Sequence, residues 1–247
     1  MIDKKLEELL KQSVTKTLQE KNVLGKYSQK INENTTKVKE VISEAYVAQP
    51  TKFNLKTELL SEKAKVAHQE LFEGYIKELN ATVAKLDTAD REEVNPNHSQ
   101  FRSLKMDETH NHNAAFLHGL YFQNISDMNS EISADSIAFM RLERDFGSFD
   151  LWQEDFIACC MAARNGWAVT VYNMNLKRYV NTVIDLHDQH VMINTFPVVV
   201  MDCWEHSYYR DYLKNRKAYV YGMMKELNWD VIEERFKVAD KIGALIK

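Results

Sequence analysis

TFPVVVMDCWEHSYYRDY, residues 195–212, decides how the chain is read. Thr195 to Met201 is an unbroken apolar and β-branched run, the composition of a strand buried on both faces. The run ends on a charged residue, Asp202, and His206 follows four positions later, in the first turn of the next helix. At that spacing a carboxylate and an imidazole meet on one side of the chain, as two ligands of one metal ion must. The donor pair suits iron, manganese or zinc. An aspartate at a strand-to-helix junction is also a good N-cap, and that plainer reading stands beside the metal one.

Working outward, WAVTVY (167–172) and YVNTVI (179–184) are rich in β-branched and aromatic residues and flank the turn-like NMNLKR. They read as paired strands, which with residues 195–201 make a small sheet of three. Short helices are expected at 133–144 and 148–164, and helices resume at 205–225 and 229–246. Upstream, apolar residues recur at three and four from Leu55 to Thr88 and again from Gln100 to Ile125, joined by the polar TADREEVNP. Two long helices with so short a link form an antiparallel hairpin. The fold class is α+β: an N-terminal helical hairpin followed by an α/β domain with a small three-stranded antiparallel sheet.

The hairpin carries a histidine on each apolar face, His68 and His118. A histidine so placed is more often a hydrogen-bonded core residue than a ligand. Two of them on facing helices can nevertheless lie at one height, and with Asp202 and His206 they make a cage of three imidazoles and one carboxylate. Such a cage leaves room for a solvent ligand, and it explains why an apolar strand ends on a charge, which is costly in a core unless paired or metal-bound. His110 and His112 are read as exposed, His98 as a loop residue, and His187 with His190 in DLHDQH as a weak second cluster. Cys159 and Cys160 sit in an apolar helix and read as small core residues.

Composition narrows the classes. Only 7 glycines and 3 proline residues in 247 exclude collagen-like and disordered chains and turn-rich sandwiches. A net charge of −4 argues against nucleic acid as a partner, and no apolar run is long enough to span a membrane. Three cysteines, two of them adjacent, fit a reducing cytoplasm better than a disulfide scaffold. Residues 1–50 read as two thin-striped helices parted at Gly25, an extension that docks on the body or on a partner. The expected division is 1–50, 51–130 and 131–247.

The segment 201–212 resembles the DxWEHxYY signature of the iron/manganese superoxide dismutases. Residues 146–167 (FGSFDLWQEDFIACCMAARNGW) are similar to that family's FGSFD block, 117–126 (LHGLYFQNIS) to its second ligand helix, and 68–80 (HQELFEGYIKELN) to its first. The likeness covers roughly residues 50–240. It implies that His68, His118, Asp202 and His206 hold one iron or manganese ion per subunit, with superoxide as substrate and a homodimer or dimer of dimers as the assembly. By the same likeness Tyr75 is the tyrosine at the mouth of the substrate funnel. Trp167 and Trp204 are active-site walls, and Glu205 reaches across a dimer interface to a ligand histidine of the partner. Tyr209 is an interface tyrosine.

The sequence also departs from that pattern. His68 lies seven residues before Tyr75, where the family has eight, and Leu71 stands for the family's funnel histidine. Ala114 occupies the place where iron-type members carry an outer-sphere glutamine, and Phe122 that of a tryptophan. The manganese-type position falls in DLHDQH, where counting back from Pro197 favours His187 and leaves Gln189 as the alternative. The expected activity is superoxide dismutation. The alternative is a dismutase-like structural subunit with residues 1–50 as its docking arm, and the shortened first helix speaks for it. A metal-dependent hydrolase would need a general base beside the open position, and only Glu205 is near.

Overall fold

The computed structural model describes residues 48–49, 51–125 and 130–246; the two helices expected within 1–47 lie outside the described residues. The expected boundary near residue 130 falls beside 126–129, which are also outside them.

Helix α1 (Glu62–Thr88) begins where the Ser61 hydroxyl accepts the Ala64 N–H, and α2 (Gln100–Asn124) where the Ser99 hydroxyl accepts the Arg102 N–H. The expected start at Leu55 is therefore seven residues early. Thr57 turns the preceding segment by accepting the Leu59 N–H, and the Ser61 N–H is held by the Asp211 carboxylate. The buried side chains of α1 are Ala64, His68, Phe72, Ile76, Leu79, Thr82 and Leu86, one stripe at three and four. His68 meets His118 and Phe122 while Tyr75, further along, meets His118 and His110, so the two helices run antiparallel.

Helices α3 (Ile137–Phe146) and α4 (Phe149–Ala162) follow, turning at Gly147, whose φ of +92° suits glycine. Strands β1 (Gly166–Asn173), β2 (Arg178–Asp185) and β3 (Thr195–Asp202) then form an antiparallel sheet in the order β2-β1-β3. The central β1 is buried at all eight positions. Strand β3 is buried only over its last five, so its opening residues are less covered than the apolar run implied. Pro197 is tolerated because β3 is an edge strand and the register shifts beside it, between Thr170 and Val171. Gly166 is required: a Cβ there would stand 2.0 Å from the Ile184 carbonyl oxygen.

The helix expected over 205–225 is two, α5 (Glu205–Tyr212) and α6 (Arg216–Met223). Leu213 takes a φ of +50° and Asn215 caps the new helix, accepting the Ala218 N–H. Helix α7 (Trp229–Leu245) completes the chain. One apolar core runs through hairpin and sheet alike, joining Phe72, Ile76, Tyr121 and Phe122 to Trp152, Val169, Val199 and Phe236. Its polar strap is Arg235, whose guanidinium donates to the Val198 and Leu120 carbonyls and the Gln123 side chain, tying α2 to β3.

Candidate metal centre

Asp202 is the last residue of β3 and is fully buried. Its position is fixed from three sides. It pairs in register with Trp167 of β1, the Cys203 N–H donates to the Gly166 carbonyl (2.9 Å), and the Tyr219 hydroxyl donates to the Asp202 carbonyl (2.9 Å). The carboxylate divides its work. Oδ1 accepts the Trp204 N–H at 2.9 Å, a local turn that does part of what an N-cap would do, although the cap residue itself is Trp204. Oδ2 faces three imidazoles: His68 Nε2 at 3.0 Å, His206 Nε2 at 3.2 Å and His118 Nε2 at 3.8 Å.

The four expected ligands thus come together, with one donor atom of each within 4.8 Å of the others. They arrive from four elements: α1, α2, the end of β3 and the first turn of α5. Seven residues are two helical turns, within about 20° of eclipsed, so the short spacing leaves His68 and Tyr75 on one face of α1.

The fit to an ion can be read from His118. Its Nδ1–H donates to the Ala114 carbonyl at 2.7 Å, which leaves Nε2 as a bare lone pair. That nitrogen is buried, has no hydrogen-bond partner, and points at the carboxylate. An orphaned acceptor beside a buried anion is unfavourable without a cation between them. Burial alone would raise the Asp202 carboxyl, but His206 and His68 outweigh it and hold it well below the usual carboxylate range. Burial keeps His68 and His118 below the ordinary imidazole range, and for His118 the neighbouring His68 adds to it. Ligands of this kind must be neutral imidazoles and an ionised carboxylate, and the pocket favours both.

Around the four lies an aromatic shell. Phe122 packs edge-on to His68 (4.9 Å), Trp167 edge-on to His118 (4.9 Å), and Trp204 stacks on both His206 and His187. Of the two open alternatives the geometry brings in His187, which is fully buried, while Gln189 is exposed and only bridges Asp185 through its backbone. The Trp167 indole N–H donates to His187 Nδ1 at 3.0 Å, so the neutral ring carries its proton on Nε2 and donates to the Tyr75 hydroxyl, 3.0 Å away. Burial, then His110, lowers the His187 pKa to about 4. Burial, then the Asp202 charge, raises that of Tyr75.

Glu205 and Tyr209 stand apart from this cluster. Both are exposed and line a cavity of about 480 Å³ with Ala64, Ala67 and Arg210, which opens onto His68 and His206. His110 is not exposed as expected but half-buried beside His187. The signal was present: it lies eight residues before His118, on the same helix face, whereas His112 points to solvent.

Residues 135–235 match the family model described as iron/manganese superoxide dismutases, C-terminal domain. Over 179 residues the chain is 33% identical to a superoxide dismutase of Aquifex pyrophilus designated an iron enzyme, spanning 71% of this chain and 83% of that protein. It is 33% identical over 172 residues to one of Haloferax volcanii designated a manganese enzyme, spanning 70% and 84%. A manganese-designated protein of Halobacterium salinarum is 35% identical over 133 residues, 54% of this chain and 66% of its own.

The depressed His187 has a consequence for stability. Above pH 6.5 the ring is neutral whether the chain is folded or not. As pH falls from about 6.5 towards 4 the unfolded chain takes up a proton that the folded chain refuses, so this residue removes about 1.4 kcal/mol of stability per pH unit. Urea midpoints of the metal-free protein should therefore fall over that window, with a slope shallower by about one proton in His187→Gln. An identical slope in the variant contradicts the assignment.

Proposed function

The chain belongs to the iron/manganese superoxide dismutase family, and on that premise we propose that it converts two superoxide anions and two protons into dioxygen and hydrogen peroxide. The observation that carries the proposal is the Asp202 Oδ2 atom shared by three imidazoles, one of which has no other partner. His68, His118, Asp202 and His206 would hold a single iron or manganese ion, which supplies the one-electron couple that oxidises one superoxide and reduces the next.

The chain's own part is to hold that ion and manage protons. Three neutral imidazoles and one carboxylate leave a site of net positive charge when a divalent or trivalent ion is bound, which favours a small anion in a chain of net charge −4. Arg210, on the wall of the cavity beside His206, adds a fixed cation near that residue. Product formation needs two protons. Tyr75 holds one on its hydroxyl, kept there by its raised pKa, and His187 holds one on Nε2. Because His187 Nε2–H donates to the Tyr75 oxygen, the tyrosine's own hydrogen is left to point elsewhere, and its ring lies 5.3 Å from that of His118. Trp167 fixes this order by blocking Nδ1. The aromatic shell restricts competing water.

The structural-subunit alternative drew its support from the short spacing between His68 and Tyr75, which two helical turns accommodate. We assign two-fold assembly to the face carrying Glu205 and Tyr209, where an acid on the rim is placed to orient a partner's ligand histidine. Residues 1–47 we assign to assembly beyond the dimer. We assign the chain to a reducing cytoplasm, a setting that its three free thiols suit.

Protein purified without added metal should contain about one iron or manganese ion per chain by elemental analysis and should accelerate superoxide decay. Both properties should be lost together in His118→Ala. A folded protein that stays metal-free and inactive after reconstitution with either metal overturns the proposal. For the arm, removing residues 1–48 should lower the assembly's mass in solution to that of a dimer; an unchanged subunit number removes the assembly role.

A further inference from the structure

His187 sits in a strained connection. Leu186, just before it, has a φ of +54°, and His190, three residues on, has a φ of +65°. Residues other than glycine rarely adopt such angles. Within the loop itself the backbone is tied at two places only: the Leu186 N–H donates to Asn165 (2.7 Å), and Asp185 and Gln189 exchange backbone hydrogen bonds (3.1 Å each). None of these ties fixes the His187 ring.

The ring is held from outside the loop, by the Trp167 indole N–H on Nδ1 and by the stacked Trp204 ring, and one face of α2 meets both the ring and its backbone. Asn113 Nδ2 donates to the His187 carbonyl at 3.0 Å. One turn earlier on the same helix, the His110 ring packs edge-on against that of His187, centroids 4.8 Å apart and 69° between planes. His110 Nδ1 also faces the Asp188 carboxylate at 3.7 Å, and its ring lies 6.2 Å from Tyr75. Two side chains three residues apart on α2 thus seize two successive residues of the loop. That same helix, five and eight residues further on, carries His118, so the grip keys the loop to the metal-ligand helix.

We propose that His110 and Asn113 are positioning residues that hold the 186–190 loop so that His187 Nε2 stays on the Tyr75 hydroxyl, and that the proton supply of the site depends on this grip. The inference rests on the dismutase reading for its second half only. Neither residue touches the cluster of four ligands. Their action is through the loop: Asn113 sets the height of the His187 backbone, and His110 closes the side of the ring that Trp167 and Trp204 leave open.

The experiment compares the metal-loaded wild-type chain with His110→Ala/Asn113→Ala in two ways. Hydrogen exchange of the Leu186 and Gln189 amides reads the grip and does not depend on activity; the double variant should exchange about tenfold faster or more, with helix α2 unchanged. Pulse kinetics of superoxide decay read the relay. The saturated rate should fall about tenfold while kcat/KM stays within about twofold and metal content is unchanged, a split that general loss of folded enzyme does not produce. His110→Gln alone, still able to reach Asp188, should recover most of that rate. Unchanged exchange overturns the proposal, and so does faster exchange with an unchanged saturated rate. If the wild-type chain loaded with metal does not consume superoxide, the dismutase reading and the relay role fail together, while the exchange data still decide whether the loop is held. Should the double variant not fold, Asn113→Ala read at Gln189 makes the same comparison.

Discussion

A fully buried carboxylate at the end of an apolar strand is the constraint around which this protein is arranged. Removing Asp202 from water costs several kcal/mol unless opposite charge and hydrogen bonds replace the lost hydration. The Trp204 N–H supplies one bond, to Oδ1. Of the imidazoles that surround Oδ2, His68 and His118 are held neutral by burial, and His118 has no proton to offer on the nitrogen that faces it. A cation beside Oδ2 would satisfy the carboxylate and the orphaned His118 nitrogen together. Each feature that brings the imidazoles to that oxygen, from the caps of α1 and α2 to the break after α5, serves the same end.

The sheet is what makes the centre rigid. Trp167 and Asp202 are opposite residues on β1 and β3, so one strand pair delivers both the buried carboxylate and the indole that orders His187. Gly166, immediately before, permits the backbone of β2 to approach closely enough for that pairing. On the other side, the Tyr121 hydroxyl lies 2.8 Å from that of Tyr219, which donates to the Asp202 carbonyl, so α2, α6 and β3 share one buried polar link. Arg235 makes a second between α2 and β3. Tyr75 and His187 therefore stand against a wall braced by these links.

Much of this was legible in the residues. The three strands declared themselves by β-branched runs, and the structure extends each by only a residue or two. Asp202 and His206 stood out because a charge ending an apolar strand demands a partner. His68 and His118 stood out because each interrupts an apolar helix stripe. Other features depend on contacts between distant segments. Leu55 to Leu60 carries helical periodicity, yet Asp211 holds the Ser61 N–H from 150 residues away and the helix starts only there. Counting back from Pro197 already favoured His187 over Gln189, but its contacts with Trp167 and Tyr75 come from distant segments. His110 was misread because a pair of histidines two apart suggests solvent on both sides. Its i−8 relation to His118 was the better guide.

X-ray absorption at the iron and manganese edges of the purified, metal-loaded protein tests the central claim most directly. If Asp202 and the three imidazoles share one ion, the spectrum contains only nitrogen and oxygen neighbours at about 2.1 Å, with the outer-shell scattering of imidazole rings and no sulfur. Neither Cys160 nor Cys203, buried nearby, takes part. A sulfur neighbour, or a shell lacking imidazole scattering, contradicts the assignment of the ion to these four residues.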